Sequence, residues 1–117
     1  MSLLSRLALV TLLALPIAAH AQEVATGAEI IAAITGNTVQ GSMTASGAYT
    51  EFYAANGVIK GKDYTGTWTV EGDTMCFSYG EAPDCWNVRI DGEAITWVQK
   101  GADGGSGTIV AGNPNNF

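Results

Sequence analysis

The chain contains a single histidine, His20, and only two cysteines, Cys76 and Cys85. His20 lies in an N-terminal segment expected to be removed, so the mature chain is expected to carry no imidazole at all. That excludes Ser-His and Cys-His nucleophile pairs, an imidazole base, and histidine ligation of zinc, copper or haem. The two cysteines form neither a CxxC motif nor a cluster with metal spacing. Cations are scarce as well. Five Lys and Arg stand against eleven Asp and Glu, for a formal net charge of −6. Only Lys60, Lys62, Arg89 and Lys100 belong to the expected mature chain. This acidic balance argues against nucleic acid and anionic membrane surfaces as partners. Past the N-terminus, no apolar run is long enough to span a bilayer as a helix. The chain is therefore expected not to be membrane-embedded after processing, to be a monomer, and to need no cofactor.

What is present begins with a secretory signal over residues 1–21. Arg6 gives the positive n-region, Leu7 to Leu15 form a short apolar run, Pro16 breaks it, and Ala19-His20-Ala21 puts small residues where a signal peptidase reads. Residues 22–117 then form one domain, expected in the periplasm or secreted. Export takes Cys76 and Cys85 where thiols oxidise, so a structural disulfide is expected. Closing so short a loop stabilises by roughly 2–3 kcal/mol.

The mature segment opens with a capping box, Thr26-Gly27-Ala28-Glu29, followed by Ile30, Ile31 and Ile34 on one side of a short helix and a stop at Gly36-Asn37. Short β-rich runs then alternate with turn signals. The expected strands are 39–43, 48–54, 58–62, 66–71, 74–79, 85–90, 93–98 and 107–110. The fold class is thus all-β with one short N-terminal helix, an antiparallel eight-strand meander forming a small barrel or a strongly bent sheet. Two-residue loops at Gly72-Asp73 and Asp91-Gly92, with Gly80-Glu81 as the middle turn, fix a register. It sets Val70 opposite Met75, Trp68 opposite Phe77, Cys76 opposite Cys85, Met75 opposite Trp86, and Trp86 opposite Trp97. Val70, Met75, Trp86 and Trp97 then share one apolar face, the cysteines lie on the other, and Gly66 sits beside Tyr79. That face is expected to be packed core, with a ligand cavity as the alternative.

An enzyme is not expected. The carboxylates available to a glycosidase-type pair are Glu51, Asp63, Asp73, Glu81, Asp84, Asp91 and Glu93, most of them in or beside turns. Glu51 is the exception, mid-strand between Tyr49 and Tyr53 with Phe52 on the opposite face. Either Glu51 is exposed and Phe52 is core, or the strand presents an aromatic-lined binding surface with Glu51 as its polar contact. The candidate binding residues are Tyr49, Glu51, Tyr53, Trp68, Trp86 and Trp97. The run Gly101-Ala102-Asp103-Gly104-Gly105-Ser106-Gly107 lacks the lysine and helix of a P-loop and the spaced aspartates of a calcium loop, and reads as a hairpin loop. No metal site is expected.

The stretch from Gly36-Asn37-Thr38 through Tyr64-Thr65-Gly66-Thr67-Trp68, Cys76-Phe77, Asp84-Cys85-Trp86 and Gly112-Asn113-Pro114 resembles small exported proteins of unknown function from Gram-negative bacteria with a calycin-like β-meander. The resemblance covers nearly the whole mature chain and implies a fold but no activity. Gly66-x-Trp68 is also similar to the lipocalin strand signature, displaced here from the first strand to mid-chain. The plan of signal, short strands and one disulfide is similar to periplasmic inhibitors of lysozymes and metalloproteases. Their inhibitory motifs are missing, since Ser46-Gly47 precedes Tyr49 one residue too closely. The expected function is an exported, non-enzymatic binding module for an unknown small ligand or envelope protein. Its two alternatives are an inhibitor of a lysozyme or protease, acting through loops at 80–84 or 101–107, and a carrier of small apolar ligands with an aromatic-lined cavity.

Overall fold

A computed structural model describes residues 23–117 of the chain, and the expected signal and its cleavage site lie outside the described residues. Helix α1 (Gly27–Ile34) begins at the capping box: Thr26 Oγ1 accepts from the Glu29 N–H at 3.2 Å and the Glu29 carboxylate accepts from the Thr26 N–H at 3.1 Å. Ile30 and Ile34 are fully buried, whereas Ile31, expected on the same side, is half exposed. Residues four apart stack on one helix face while neighbours diverge by about 100°, so the Ile30–Ile34 pair docks and Ile31 turns outward.

Eight strands follow: β1 (Asn37–Met43), β2 (Gly47–Tyr53), β3 (Val58–Gly61), β4 (Tyr64–Glu71), β5 (Thr74–Ser78), β6 (Asp84–Asp91), β7 (Ala94–Gln99) and β8 (Ala102–Val110). Each pairs antiparallel with its neighbours in sequence, and β8 pairs with β1, so the meander closes into a barrel with no free edge. The helix plugs the end at which β4 turns into β5. There the Gly27 N–H donates to Asp73 Oδ1 at 2.9 Å, and a Cβ on Gly27 would overlap the Gly72 carbonyl. Val39, Ile59, Met75, Val88 and Ile95 fill the interior with Ile30 and Ile34, all 0–1 % exposed.

The expected register holds from β4 to β6: Val70 faces Met75, Trp68 faces Phe77, Met75 faces Trp86 and Cys76 faces Cys85. The disulfide forms across that last pair, Cα to Cα 4.0 Å. The β6–β7 hairpin departs from expectation by two residues. Its loop is Gly92-Glu93, so Trp97 faces Val88 and not Trp86. Glycine takes the first loop position with positive φ in this hairpin, as it does at Gly72 in the β4–β5 hairpin, +59° and +58° respectively. A shift of two keeps every side chain on its face, so Trp86 and Trp97 still both point inward.

The larger correction concerns residues 101–107. They do not form a loop, because Ala102–Gly107 is the first part of β8, the strand that closes the barrel. The glycines are there because large neighbours leave no space for a Cβ. One at Gly104 would strike the Trp86 ring, one at Gly105 the Met43 sulfur, and one at Gly107 the Tyr49 hydroxyl. The pairing of β7 with β8 steps from Trp97–Gly105 to Val98–Asp103, a bulge that leaves Gly104 unpaired beneath Trp86. On the outside, Arg89 forms an ion pair with Asp103.

Two outcomes are expected. Reduction of the disulfide should lower stability by roughly 2–3 kcal/mol without changing the fold, read as a lower urea midpoint in the presence of dithiothreitol. Gly41 on β1 has no room for a methyl, since a Cβ would overlap the Ser106 carbonyl across the β1–β8 seam. Gly41→Ala should therefore cost at least about 1–3 kcal/mol in the same measurement.

Candidate functional site

The barrel is packed at the helix end and open at the other. The open end carries the β1–β2 and β5–β6 turns, and a cavity of about 520 Å³ leads inward from it. Its wall includes Tyr49, Glu51 and Tyr53 from β2, Tyr64 from β4, Phe77 from β5, Trp86 from β6 and Trp97 from β7. Met43 and Gly104 complete the side near β8, while Ser46, Glu81, Ala82 and Asp84 stand at the rim. The tryptophans divide between the two halves. Trp86 and Trp97 line the cavity, whereas Trp68 lies in the packed half, where its Nε1 donates to the Ala54 carbonyl at 3.0 Å and its ring meets Tyr53 edge to face. Five of the six expected binding residues thus come together, and Trp68 does not join them.

Glu51 is buried, 6 % exposed, and faces inward with Tyr49 and Tyr53. Phe52, the core residue in one of the two sequence readings, is half-buried on the outer face. A carboxylate out of water must recover its hydrogen bonds from the protein. Here three phenols supply them. Tyr53 donates to Oε1 at 3.1 Å, Tyr64 to Oε2 at 3.0 Å, and Tyr79 lies within 2.9 Å of both oxygens. Tyr64 and Tyr79 keep 43 % and 51 % of their surface at the mouth while their hydroxyls turn in. Their rings meet edge to face at 6.2 Å.

A second polar chain runs beside this collar. Trp97 Nε1 donates to the Tyr49 hydroxyl at 2.8 Å, and that hydroxyl donates to the Ser106 carbonyl at 3.1 Å. At the rim, Asp84 accepts from Trp86 Nε1 at 3.1 Å and from Gln99 Nε2 at 2.7 Å. Phe77 stands edge to face on Trp97 at 5.2 Å. The disulfide ties together the two strands that carry the β5–β6 turn, so the part of the rim holding Glu81 and Ala82 is anchored at its base.

Tyr64 and Tyr79 are the cavity residues that sequence reasoning missed. Strand parity was the available signal. Tyr79 is two residues beyond inward-facing Phe77, Tyr64 is four before inward-facing Trp68, and Gly66 between them makes space, with the Tyr79 ring 2.7 Å from where its Cβ would lie. Tyr64 falls between two expected strands, and Tyr79, at the end of the expected strand 74–79, reads only as a cover for Gly66.

Protein-family models, curated proteins and solved structures were each compared with the chain, and none matches. The site therefore rests on its own geometry.

That geometry has a consequence at high pH. All four tyrosines are held above the ordinary phenol value of 10.0, first by burial and then, for Tyr53, Tyr64 and Tyr79, by the negative field of Glu51. At Tyr49 the hydrogen bond from Trp97 partly offsets the burial. A phenol whose folded value is raised contributes stability that is complete below pH 10 and is lost as pH climbs through the raised range. Near-ultraviolet titration should show no tyrosinate in the folded protein at pH 10, then ionisation together with unfolding at higher pH. Glu51→Gln should bring the onset closer to pH 10.

Proposed function

We propose that the protein is an exported, non-enzymatic binding module that takes a small amphipathic ligand into the open end of its barrel. The observation that carries this reading is the division of the interior into a packed half and a hollow half. A cavity of about 520 Å³, bordered by aromatic rings and with a single buried carboxylate, has the size and character of small-molecule sites. An eight-stranded barrel is just wide enough either to fill with side chains or to hold one small ligand. This one does each in half its length. The calycin-like resemblance of the sequence accords with such a use of the fold, and the signal-like N-terminus together with the disulfide favours a periplasmic or secreted setting.

Two features favour binding over catalysis. Both oxygens of Glu51 are occupied by tyrosine hydroxyls, and both oxygens of Asp84 by Gln99 and Trp86. Carboxylates so engaged make poor proton shuttles, because a general acid or base must be free to exchange its proton with substrate. The inhibitor alternative loses ground because one of its two expected loops, residues 101–107, lies mostly within β8.

The test uses N-phenyl-1-naphthylamine, a neutral apolar fluorophore, with the mature protein. Its emission should rise on binding, and the emission of Trp86 and Trp97 should change in parallel. Trp86→Ala should stay folded, because the Trp86 ring is only half-buried over Gly104, and should weaken probe binding about tenfold, equivalent to about 1.4 kcal/mol. Folded wild-type protein that leaves probe emission unchanged would overturn the proposal.

A further inference from the structure

The chemistry of the cavity wall narrows the ligand class, granted that the cavity is a binding site. We infer that the ligand is an organic cation, an amine or alkylammonium head on an apolar body. Three features of the wall point the same way.

The first is charge. Glu51, Glu81 and Asp84 all line the cavity, and no lysine or arginine does. Lys62 and Lys100 stand in turns at the same end of the barrel, but neither reaches the wall. Arg89 is on the outer face, paired with Asp103. An anionic head group entering this space would meet carboxylates with nothing to neutralise it, and the net charge of the chain opposes it at long range.

The second is the supply of hydrogen-bond donors, which is nearly exhausted. The hydroxyls of Tyr53, Tyr64 and Tyr79 are committed to Glu51, and that of Tyr49 to Ser106. The indole N–H groups of Trp86 and Trp97 are committed to Asp84 and Tyr49. Only the Ser46 hydroxyl at the rim has no such partner among the lining side chains. A neutral ligand rich in acceptors would find almost nothing to bond with. A cationic head needs none of these donors, and the carboxylates of Glu51, Glu81 and Asp84 attract it through space.

The third is the aromatic lining. Seven rings, those of Tyr49, Tyr53, Tyr64, Phe77, Tyr79, Trp86 and Trp97, border the cavity. Aromatic faces carry negative potential and attract ammonium groups, most strongly where water is excluded. The tyrosine collar adds to this by holding the Glu51 carboxylate in place with phenols where water would otherwise stand, so its field is directed into the cavity at fixed geometry.

Calorimetric titration of the mature protein with three ligands of one chain length tests the inference: octyltrimethylammonium, octanol and octanoate. The ammonium should bind about tenfold tighter than octanol, octanoate should bind more weakly than octanol, and the ammonium's advantage should shrink as salt is raised. Glu51→Gln should remove most of that advantage, with the ammonium and octanol then binding within about twofold of each other. If the variant does not fold, the wild-type series decides alone. Binding of octanol or octanoate as tight as that of the ammonium would overturn the cation inference and leave the cavity standing as a binding site. Failure of all three to bind would overturn the cavity reading itself.

Discussion

The open half of this barrel is organised around one carboxylate. Glu51 is the common acceptor for hydroxyls arriving from β2, β4 and the end of β5, so three separate segments of wall converge on one point. A buried carboxylate alone would be costly, and the buried Tyr53 phenol without an acceptor would be costly too. Each side of the arrangement is tolerable only because the other is present. The collar also fixes the Tyr64 and Tyr79 rings at the mouth, where their apolar faces would otherwise be free to close over the opening or swing away.

The two halves of the interior follow different rules. Toward the helix, aliphatic side chains and Trp68 fill the space, and Ile30 and Ile34 close the end like a stopper. Toward the mouth, large rings line the wall and leave the cavity between them. A polar network keeps them from collapsing inward, since a ring anchored by its hydroxyl or indole N–H cannot rotate into the void without breaking that bond. Stability is thereby concentrated at the plugged end and binding capacity at the open one.

Much of this was legible in the residues. The capping box, the eight strands, the β4–β6 register, the disulfide across it and the inward parity of Trp86 and Trp97 all follow from turn chemistry and the two-residue period of strands. Parity also put Tyr49, Glu51 and Tyr53 on one face, but it could not say that the face was interior, because Phe52 made the opposite face apolar as well. Barrel closure decides that, and closure is a contact between β1 and β8, far apart in the chain. The same non-local contact explains why the glycine run passed for a loop. Gly104, Gly105 and Gly107 have no strand propensity of their own, and their place in β8 is dictated by Trp86, Met43 and Tyr49, which local sequence cannot pair with them. The β6–β7 loop was misplaced by one residue, and the register with it by two, for a more local reason, a choice between Asp91-Gly92 and Gly92-Glu93 that only the glycine's backbone angle settles.

The glycine strand also makes the barrel mechanically uneven. On one side β5 and β6 are crosslinked through Cys76 and Cys85. On the other, β8 carries three glycines and a bulge, and each glycine in a strand forfeits roughly 0.5–1 kcal/mol to backbone freedom relative to alanine. Local opening follows the weakest cooperative unit. β8 nevertheless offsets its glycines with length, sharing six residue pairs with β1 and six with β7, against two between β2 and β3. Gly104 places that strand directly beside the cavity, so one flank of the container is covalently crosslinked and the other owes its hold to the length of its ladder.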